Sequence, residues 1–169
     1  MIASARVNKS AIVFLGLVAL ALTGCGGGEP THGKGPRGIF TSTNDCAEHE
    51  KFEFKSCSEA IRTAIKIHNE ESAIYENVRY CKAKEPSCER TLNNKFRPRL
   101  LGIYVELPEK VEDAIIGRPL YALVDATKGF RDNKKESYTE KDLSIHFSRG
   151  SVAAYKAHSV AKVSGGFGT

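Results

Sequence analysis

The sequence predicts an α+β fold in which disulfide-stapled N-terminal helices are followed by a small, mainly antiparallel β-sheet. Within residues 39–96, apolar residues from Cys57 to His68 recur at three- and four-residue steps, the spacing of one face of a helix. Between residues 97 and 163, short β-favouring runs separated by turn-forming residues replace that spacing. We therefore expect a single domain over residues 39–169, which is long enough to enclose a hydrophobic core.

Residues 1–24 predict a secretory signal peptide. Arg6 and Lys9 precede an apolar run over residues 11–22, and this run is too short to cross about 30 Å of hydrocarbon as a permanent helix. The ending Leu22-Thr23-Gly24-Cys25 resembles the lipobox of bacterial lipoproteins. In a lipobox the Cys thiol receives diacylglycerol, the signal is cut before the Cys, and the new N-terminus is usually acylated, for example with palmitate. The alternative is an uncleaved membrane anchor that ends in a Cys by chance.

Residues 25–38 are rich in Gly and Pro and predict a flexible tether, which would hold the domain about 20 Å from the bilayer. Two or more acyl chains on Cys25, at about 0.8 kcal/mol per buried methylene, would anchor it stably. Gly26 follows Cys25, whereas an Asp there commonly retains lipoproteins in the inner membrane. We therefore expect a lipid-anchored envelope protein, on the periplasmic face of the outer membrane in a Gram-negative cell.

The four remaining Cys residues, Cys46, Cys57, Cys81 and Cys88, predict two disulfide bonds. Export would place them in an oxidising compartment, and their spacing lacks the C-x2-C pair that is typical of zinc sites. Three pairings are possible. The spacing favours the local pairs Cys46–Cys57 and Cys81–Cys88, each contributing about 2–3 kcal/mol by constraining the unfolded chain.

Basic residues are concentrated between Arg79 and Arg99, where seven occur against Glu85 and Glu89. Removing the signal lowers the net charge of the chain from +5 to +3, because the signal contains two basic residues and no acidic one. A net charge of that size does not indicate a nucleic-acid partner. The basic segment is either a contact for anionic lipid headgroups, lipopolysaccharide or another polyanion, or an ordinary solvated face. The candidate contact residues are Arg90, Arg97 and Arg99.

Capping chemistry and periodicity predict three helices in the first half. Residues 42–45 supply an N-cap for a short helix that contains Cys46, and residues 56–59 form a capping box for the main helix. His68 ends the apolar stripe of the main helix, where we expect a half-buried, hydrogen-bonded histidine rather than a ligand. Asn77 is the expected N-cap of a shorter helix, with Val78 facing inward.

Apolar runs predict three strands in the second half, over residues 100–107, 120–124 and 143–148. The second is apolar on both faces and should be central, whereas the third should point Leu143, Ile145 and Phe147 inward. The polar residues 128–141 predict an exposed loop. Residues 152–163 fit either a helix or a strand, with a strand favoured for 159–163, and residues 164–169 form a Gly-rich tail.

Common catalytic motifs are missing from the sequence. It contains no G-x-S-x-G, H-E-x-x-H, P-loop, C-x-x-C or dinucleotide fingerprint, so no catalytic residue, metal ligand or cofactor is predicted. A triad assembled from residues distant in the sequence remains open.

The order and spacing of several short features resemble the YgiB-type family of uncharacterised bacterial lipoproteins. The features that carry the resemblance are Cys25, Asp45-Cys46, Cys57 with Ala60 and Ala64, Tyr75, Cys81, Cys88, Pro98 with Gly102, Gly117-Arg118-Pro119-Leu120-Tyr121 and Gly165-Gly166-Phe167-Gly168. This chain lacks the long Gln-, Gly- and Met-rich insertion of some members. The resemblance implies no activity, although some members are encoded beside an ATP-grasp ligase that resembles glutathionylspermidine synthase.

We expect a binding or structural module of the envelope, attached to the bilayer through acylated Cys25 and contacting an envelope protein or an anionic envelope component. The less favoured alternative is a small envelope enzyme acting on peptidoglycan or on a polyamine or peptide conjugate. A concave pocket with converging histidine and carboxylate side chains would favour the enzyme.

Overall fold

A strand, rather than a helix, opens the described part of the chain in the computed structural model. The structure describes residues 35–110, 113–123 and 129–163, with side chains up to residue 158. Its elements are β1 (Arg37–Phe40), α1 (Thr43–Ala47), α2 (Phe54–Glu71), α3 (Val78–Lys84), β2 (Cys88–Arg90), β3 (Phe96–Pro98), β4 (Gly102–Glu106), β5 (Ile116–Ala122), β6 (Gly129–Asp132), β7 (Ser137–Thr139), β8 (His146–Phe147) and α4 (Arg149–Val163). The predicted signal, Cys25, most of the tether and the tail 164–169 lie outside the described residues.

The main sheet has six strands in the order β7-β6-β5-β4-β1-β8. Every neighbouring pair is antiparallel except β1 and β8, which confirms the mainly antiparallel sheet. The apolar runs predicted at residues 100–107 and 120–124 correspond to β4 and β5, the two central strands. A separate antiparallel hairpin joins β2 to β3.

Alternate side chains of β4 pack into two hydrophobic clusters on opposite faces of the sheet. Ile103 and Val105 pack with the buried face of α2, whereas Tyr104 packs with Phe130 and with Tyr155 of α4. This alternation follows from the two-residue period of a strand. The sheet is therefore covered by α1 and α2 on one face and by α4 on the other.

Two disulfide bonds fasten the helices. Cys46–Cys57 joins α1 to α2, and Cys81–Cys88 joins α3 to β2. This is the local pairing that the sequence predicts. It confirms the disulfide-stapled helices of the predicted α+β fold.

The helix caps agree with the sequence at two positions and differ at a third. Ser42 accepts a hydrogen bond from the Asp45 amide, and Asn77 accepts one from the Tyr80 amide, as predicted. The prediction of a capping box at residues 56–59 is wrong, because α2 begins at Phe54. Its N-cap is Glu53, whose side chain makes no capping hydrogen bond. The carbonyl of Glu53 already accepts a hydrogen bond from the Cys57 amide, which places Ser56 inside the first turn.

Further predicted details in the first half need correction. The prediction of helices alone over residues 39–96 misses β1, β2 and the first residue of β3. The predicted tether overlaps β1, because this strand starts at Arg37. Val78 does not face inward and is 40% exposed. A strand at the start of the domain was hard to predict because its apolar run is only two residues long, Ile39 and Phe40, and follows Gly38.

The second half contains more structure than predicted. The prediction of an exposed loop over residues 128–141 is wrong, because β6 and β7 pair across a turn at residues 133–136. Residues 159–163 belong to α4 rather than to a strand, and Ser148 caps this helix by accepting a hydrogen bond from the Ser151 amide. The strand predicted over 143–148 shrinks to β8, which leaves Leu143 95% exposed.

None of the helices in the described ranges is long and apolar enough to cross a membrane.

Candidate functional site

A polar cluster forms where the end of α2 meets β5 and the β2–β3 hairpin. We call it the His68 cluster, and it consists of His68, Ser72, Glu89, Arg97 and Tyr121. The i, i+4 spacing of His68 and Ser72 places both on the same face of α2. The antiparallel register of the hairpin places Glu89 directly opposite Arg97. Three separate parts of the chain therefore supply the cluster.

Hydrogen bonds surround the imidazole of His68. Its Nε2 atom lies 3.0 Å from Glu89 Oε1, and its Nδ1 atom lies 2.9 Å from Ser72 Oγ and 3.1 Å from the Tyr121 hydroxyl. Ser72 Oγ is also 3.0 Å from the Tyr121 hydroxyl. Arg97 Nε donates to the same Glu89 oxygen at 2.7 Å. The side chain of His68 is thus satisfied at both ring nitrogens, as the sequence predicts, but it is fully rather than half buried.

The electrostatics of the cluster favour a neutral imidazole. Burial lowers the pKa of His68 below its usual value near 6.5, although the hydrogen bond to Glu89 opposes this shift. Burial acts to raise the pKa of Glu89, but hydrogen bonds from His68 and Arg97 outweigh it and lower that pKa. Near neutral pH an ionised carboxylate therefore faces a neutral imidazole.

The protonation state decides which ring nitrogen donates. An ionised Glu89 can only accept, so the imidazole proton resides on Nε2 and Nδ1 presents its lone pair to Ser72. Burial raises the pKa of Tyr121, which keeps its hydroxyl protonated and able to donate. The arrangement can accept a proton from the Ser72 hydroxyl. Sequence analysis could have paired His68 with Ser72 from their spacing, but Glu89 comes from a hairpin whose register was unknown.

The candidate polyanion contacts differ in their environments. Arg97 is an ion-pair partner of Glu89 with a side chain 20% exposed, and it also donates to Asn69. Arg90 and Arg99 are exposed at the surface of the hairpin. The helix α3 packs against both hairpin strands and adds three exposed basic side chains. We call the five exposed residues the basic surface: Arg79, Lys82, Lys84, Arg90 and Arg99.

A separate groove lies elsewhere on the molecule. It has a volume of about 740 Å³ and is lined by residues from β1, the α1–α2 connection and the segment 140–147. His49 and His146 lie in it with ring centroids 4.2 Å apart. Burial and the neighbouring His49 lower the pKa of His146, while Asp45 opposes the shift. The groove contains no member of the His68 cluster or of the basic surface.

The described residues contain no group of three or more His, Cys, Asp or Glu side chains that could hold a metal ion.

Comparison with known proteins identifies a family over most of the chain. Residues 36–169 match the family described as protein of unknown function DUF1190. The match begins one residue before β1 and includes every helix and strand described above. No curated protein and no solved structure matches the chain. The chain belongs to the DUF1190 family of proteins of unknown function.

Proposed function

We propose that the chain is a lipid-anchored protein of the bacterial envelope that binds anionic lipid headgroups through its basic surface. The anchor is Cys25, which follows the short apolar run and ends the lipobox-like sequence. Acyl chains on this residue would hold the protein on the periplasmic face of the outer membrane. Such an anchor leaves the folded domain close to a surface rich in phosphate groups.

The observation that carries the headgroup proposal is the charge balance of the basic surface. Lys95 and Arg97 are neutralised by Glu76 and Glu89. In the described part of the chain, the basic surface itself forms no ion pair with an acidic side chain. Its five positive charges therefore remain available to an external partner.

The position of these residues favours a common contact. The Cys81–Cys88 disulfide ties α3 to β2, and the Arg99 amide donates to the Ser87 carbonyl, so the basic surface is built on one covalently linked unit. Each Lys or Arg near an anionic membrane contributes about 1 kcal/mol, and salt screens the attraction over about 8–10 Å. Replacing two of these residues should therefore weaken binding roughly thirtyfold.

Vesicle capture tests the proposal. Lipidated protein is reconstituted in phosphatidylcholine vesicles, and its capture of fluorescent phosphatidylglycerol vesicles is measured by flotation, with lipopolysaccharide aggregates as a second anionic target. We expect capture that declines with salt and is lost in the variant Arg90→Glu/Arg99→Glu. The variant Lys55→Glu/Lys66→Glu is the matched control, because it makes the same charge change at exposed positions of α2. Equal loss in both variants, or no loss in either, would refute a role for the basic surface.

A further inference from the structure

We propose that the His68 cluster is an acyl-transfer site, with Ser72 as the nucleophile, His68 as its general base and Glu89 as the residue that positions the imidazole. Its substrates would be esters or amides. This proposal is independent of the basic surface and of the anchor, since it depends only on contacts among described side chains.

The hydrogen bonds run in the direction that a nucleophile needs. Glu89 accepts from Nε2 of His68 at 3.0 Å, and the lone pair of Nδ1 faces Ser72 Oγ at 2.9 Å, with the Tyr121 hydroxyl slightly farther away at 3.1 Å. A serine hydroxyl bonded to an imidazole that is itself oriented by a carboxylate is the common signature of an activated serine. In the common serine triad Nδ1 of the histidine faces the carboxylate and Nε2 faces the serine. Here Nε2 faces Glu89 and Nδ1 faces Ser72, and the roles of the three groups are unchanged.

The surroundings of the three groups differ in a way that suits this chemistry. His68 is 2% exposed and is therefore shielded from water. Ser72 is the C-cap of α2 and is half-buried, so its hydroxyl lies nearer the surface than the base that would activate it. The guanidinium of Arg97 donates to the same Glu89 oxygen that accepts from the imidazole, and it thereby holds the carboxylate in place.

Tyr121 supplies a hydrogen-bond donor beside the nucleophile. Its hydroxyl lies 3.0 Å from Ser72 Oγ, and the Arg131 guanidinium lies 5.3 Å from the centre of its ring. A protonated phenol near a positive charge can donate to the oxygen of a carbonyl as that oxygen becomes negative. Tyr121 is thus the oxyanion donor of the proposed site.

The reaction balances with water as its only co-substrate. Ser72 Oγ forms a bond to the carbonyl carbon while its proton passes to His68 Nδ1, and the bond to the leaving alcohol or amine breaks as His68 returns that proton to it. Water then attacks the acyl-serine, giving its proton to His68, and Ser72 regains a proton as the acid is released. Glu89 stays ionised throughout and stabilises the transient imidazolium.

A purely structural role makes a different prediction. In that case the five polar side chains of the His68 cluster only satisfy one another's hydrogen bonds, and Ser72 is no more reactive than any exposed serine. The reactivity of Ser72 therefore separates the two interpretations.

The test uses the detergent-solubilised, membrane-extracted protein and a fluorophosphonate probe, with the labelled residue identified by mass spectrometry. We expect covalent labelling at Ser72, abolished in Ser72→Ala and retained in Ser58→Ala, a change at an exposed serine of the same helix. The labelling rate should rise with pH through the pKa of His68. Glu89→Gln should slow labelling at least tenfold and move the midpoint of this pH profile downward, because the imidazolium loses its carboxylate. Failure of the wild-type protein to react, or labelling unaffected by Ser72→Ala, would overturn the proposal.

Discussion

Gly117 of β5 lies so close to Ala60 of α2 that a Cβ atom on Gly117 would come within 1.9 Å of the Ala60 carbonyl oxygen. This contact sets the separation of the helix from the sheet. Along α2, His68 lies eight residues or about 12 Å beyond Ala60. Along β5, Tyr121 lies four residues or about 13 Å beyond Gly117. The two side chains therefore meet at 3.1 Å, and the close approach at Gly117 positions the His68 cluster.

Replacing Gly117 with Ala should separate α2 from β5. The added methyl group meets backbone atoms that cannot rotate away, so we expect a loss of about 2–3 kcal/mol in the free energy of unfolding, measured by chemical denaturation. Gly102→Ala is the control on the neighbouring strand, because its Cβ would meet no atom closer than 3.5 Å. Equal stability of the two variants would show that the close contact does not fix the helix position.

Replacing Arg118 with Met should leave a buried carboxylate without its cation. Arg118 Nη1 lies 3.1 Å from Asp132 Oδ2, and the side chain of Asp132 is fully buried. Breaking such a pair costs about 3–5 kcal/mol, and we expect the lower end because Asp132 also accepts two amide hydrogen bonds.

Chemical denaturation of Arg118→Met, Asp132→Asn and the double variant measures this coupling. The double variant should recover part of the stability that Arg118→Met loses. Arg62→Met, at an exposed position of α2, should change stability by less than about 0.5 kcal/mol. Additive effects of Arg118→Met and Asp132→Asn would contradict a buried ion pair.

Removing each disulfide should have unequal effects. The Cys46–Cys57 bond closes the longer loop, and both of its Cys residues are fully buried, whereas Cys88 is only half-buried. We expect Cys81→Ala/Cys88→Ala to lose about 2 kcal/mol and Cys46→Ala/Cys57→Ala to lose more, because the second change also opens space in the core. Denaturant midpoints compare the two variants, and the reverse order would contradict this account.

Stability should decrease in two steps as the pH is lowered. Burial lowers the pKa of His68, His146 and His158, so the unfolded chain binds their protons more readily, and stability is lost as the pH falls below about 6.5. The pKa of Glu89 is also lowered, so its contribution is present above about 4.5 and is lost below that pH.

Thermal unfolding of His146→Gln should show a smaller loss of stability below about pH 6.5 than the wild-type protein shows. The loss below about pH 4.5, which depends on Glu89, should be unchanged. His146 is exposed at the edge of the groove, so the substitution should leave the fold intact. A stability that is constant between neutral pH and about pH 5 would contradict the shifted histidine pKa values.

The sequence was sufficient to predict the elements that depend on residues close to one another in the chain. The caps at Ser42 and Asn77, the neighbouring Cys pairs and the apolar runs of β4 and β5 all act over short sequence distances. These features were sufficient to predict the α+β class and the mainly antiparallel sheet.

The missed elements depend on distant partners. Residues 128–141 look like a solvated loop because they are polar, yet Arg131 pairs with Glu85 and Asp132 pairs with Arg118 inside the fold. The helix α4 is ambiguous in sequence and is decided by the Ser148 cap and by packing of Tyr155 on Phe130.

The candidate site was predictable only in part for the same reason. His68 stood out at the end of an apolar stripe, but its partners Glu89 and Tyr121 come from β2 and β5. The basic segment was visible in the sequence as a cluster of positive charges. The neutralisation of Arg97 by Glu89 could not be predicted, because it depends on the register of the β2–β3 hairpin.

The intact mass of the protein purified from membranes tests the central claim of a lipid-anchored envelope protein most directly. We predict a chain that begins at Cys25 and carries diacylglycerol and an N-terminal acyl group, and a Cys25→Ala variant that keeps residues 1–24 and carries no lipid. A wild-type protein that retains Met1, or a Cys25→Ala variant that is processed normally, would contradict the account.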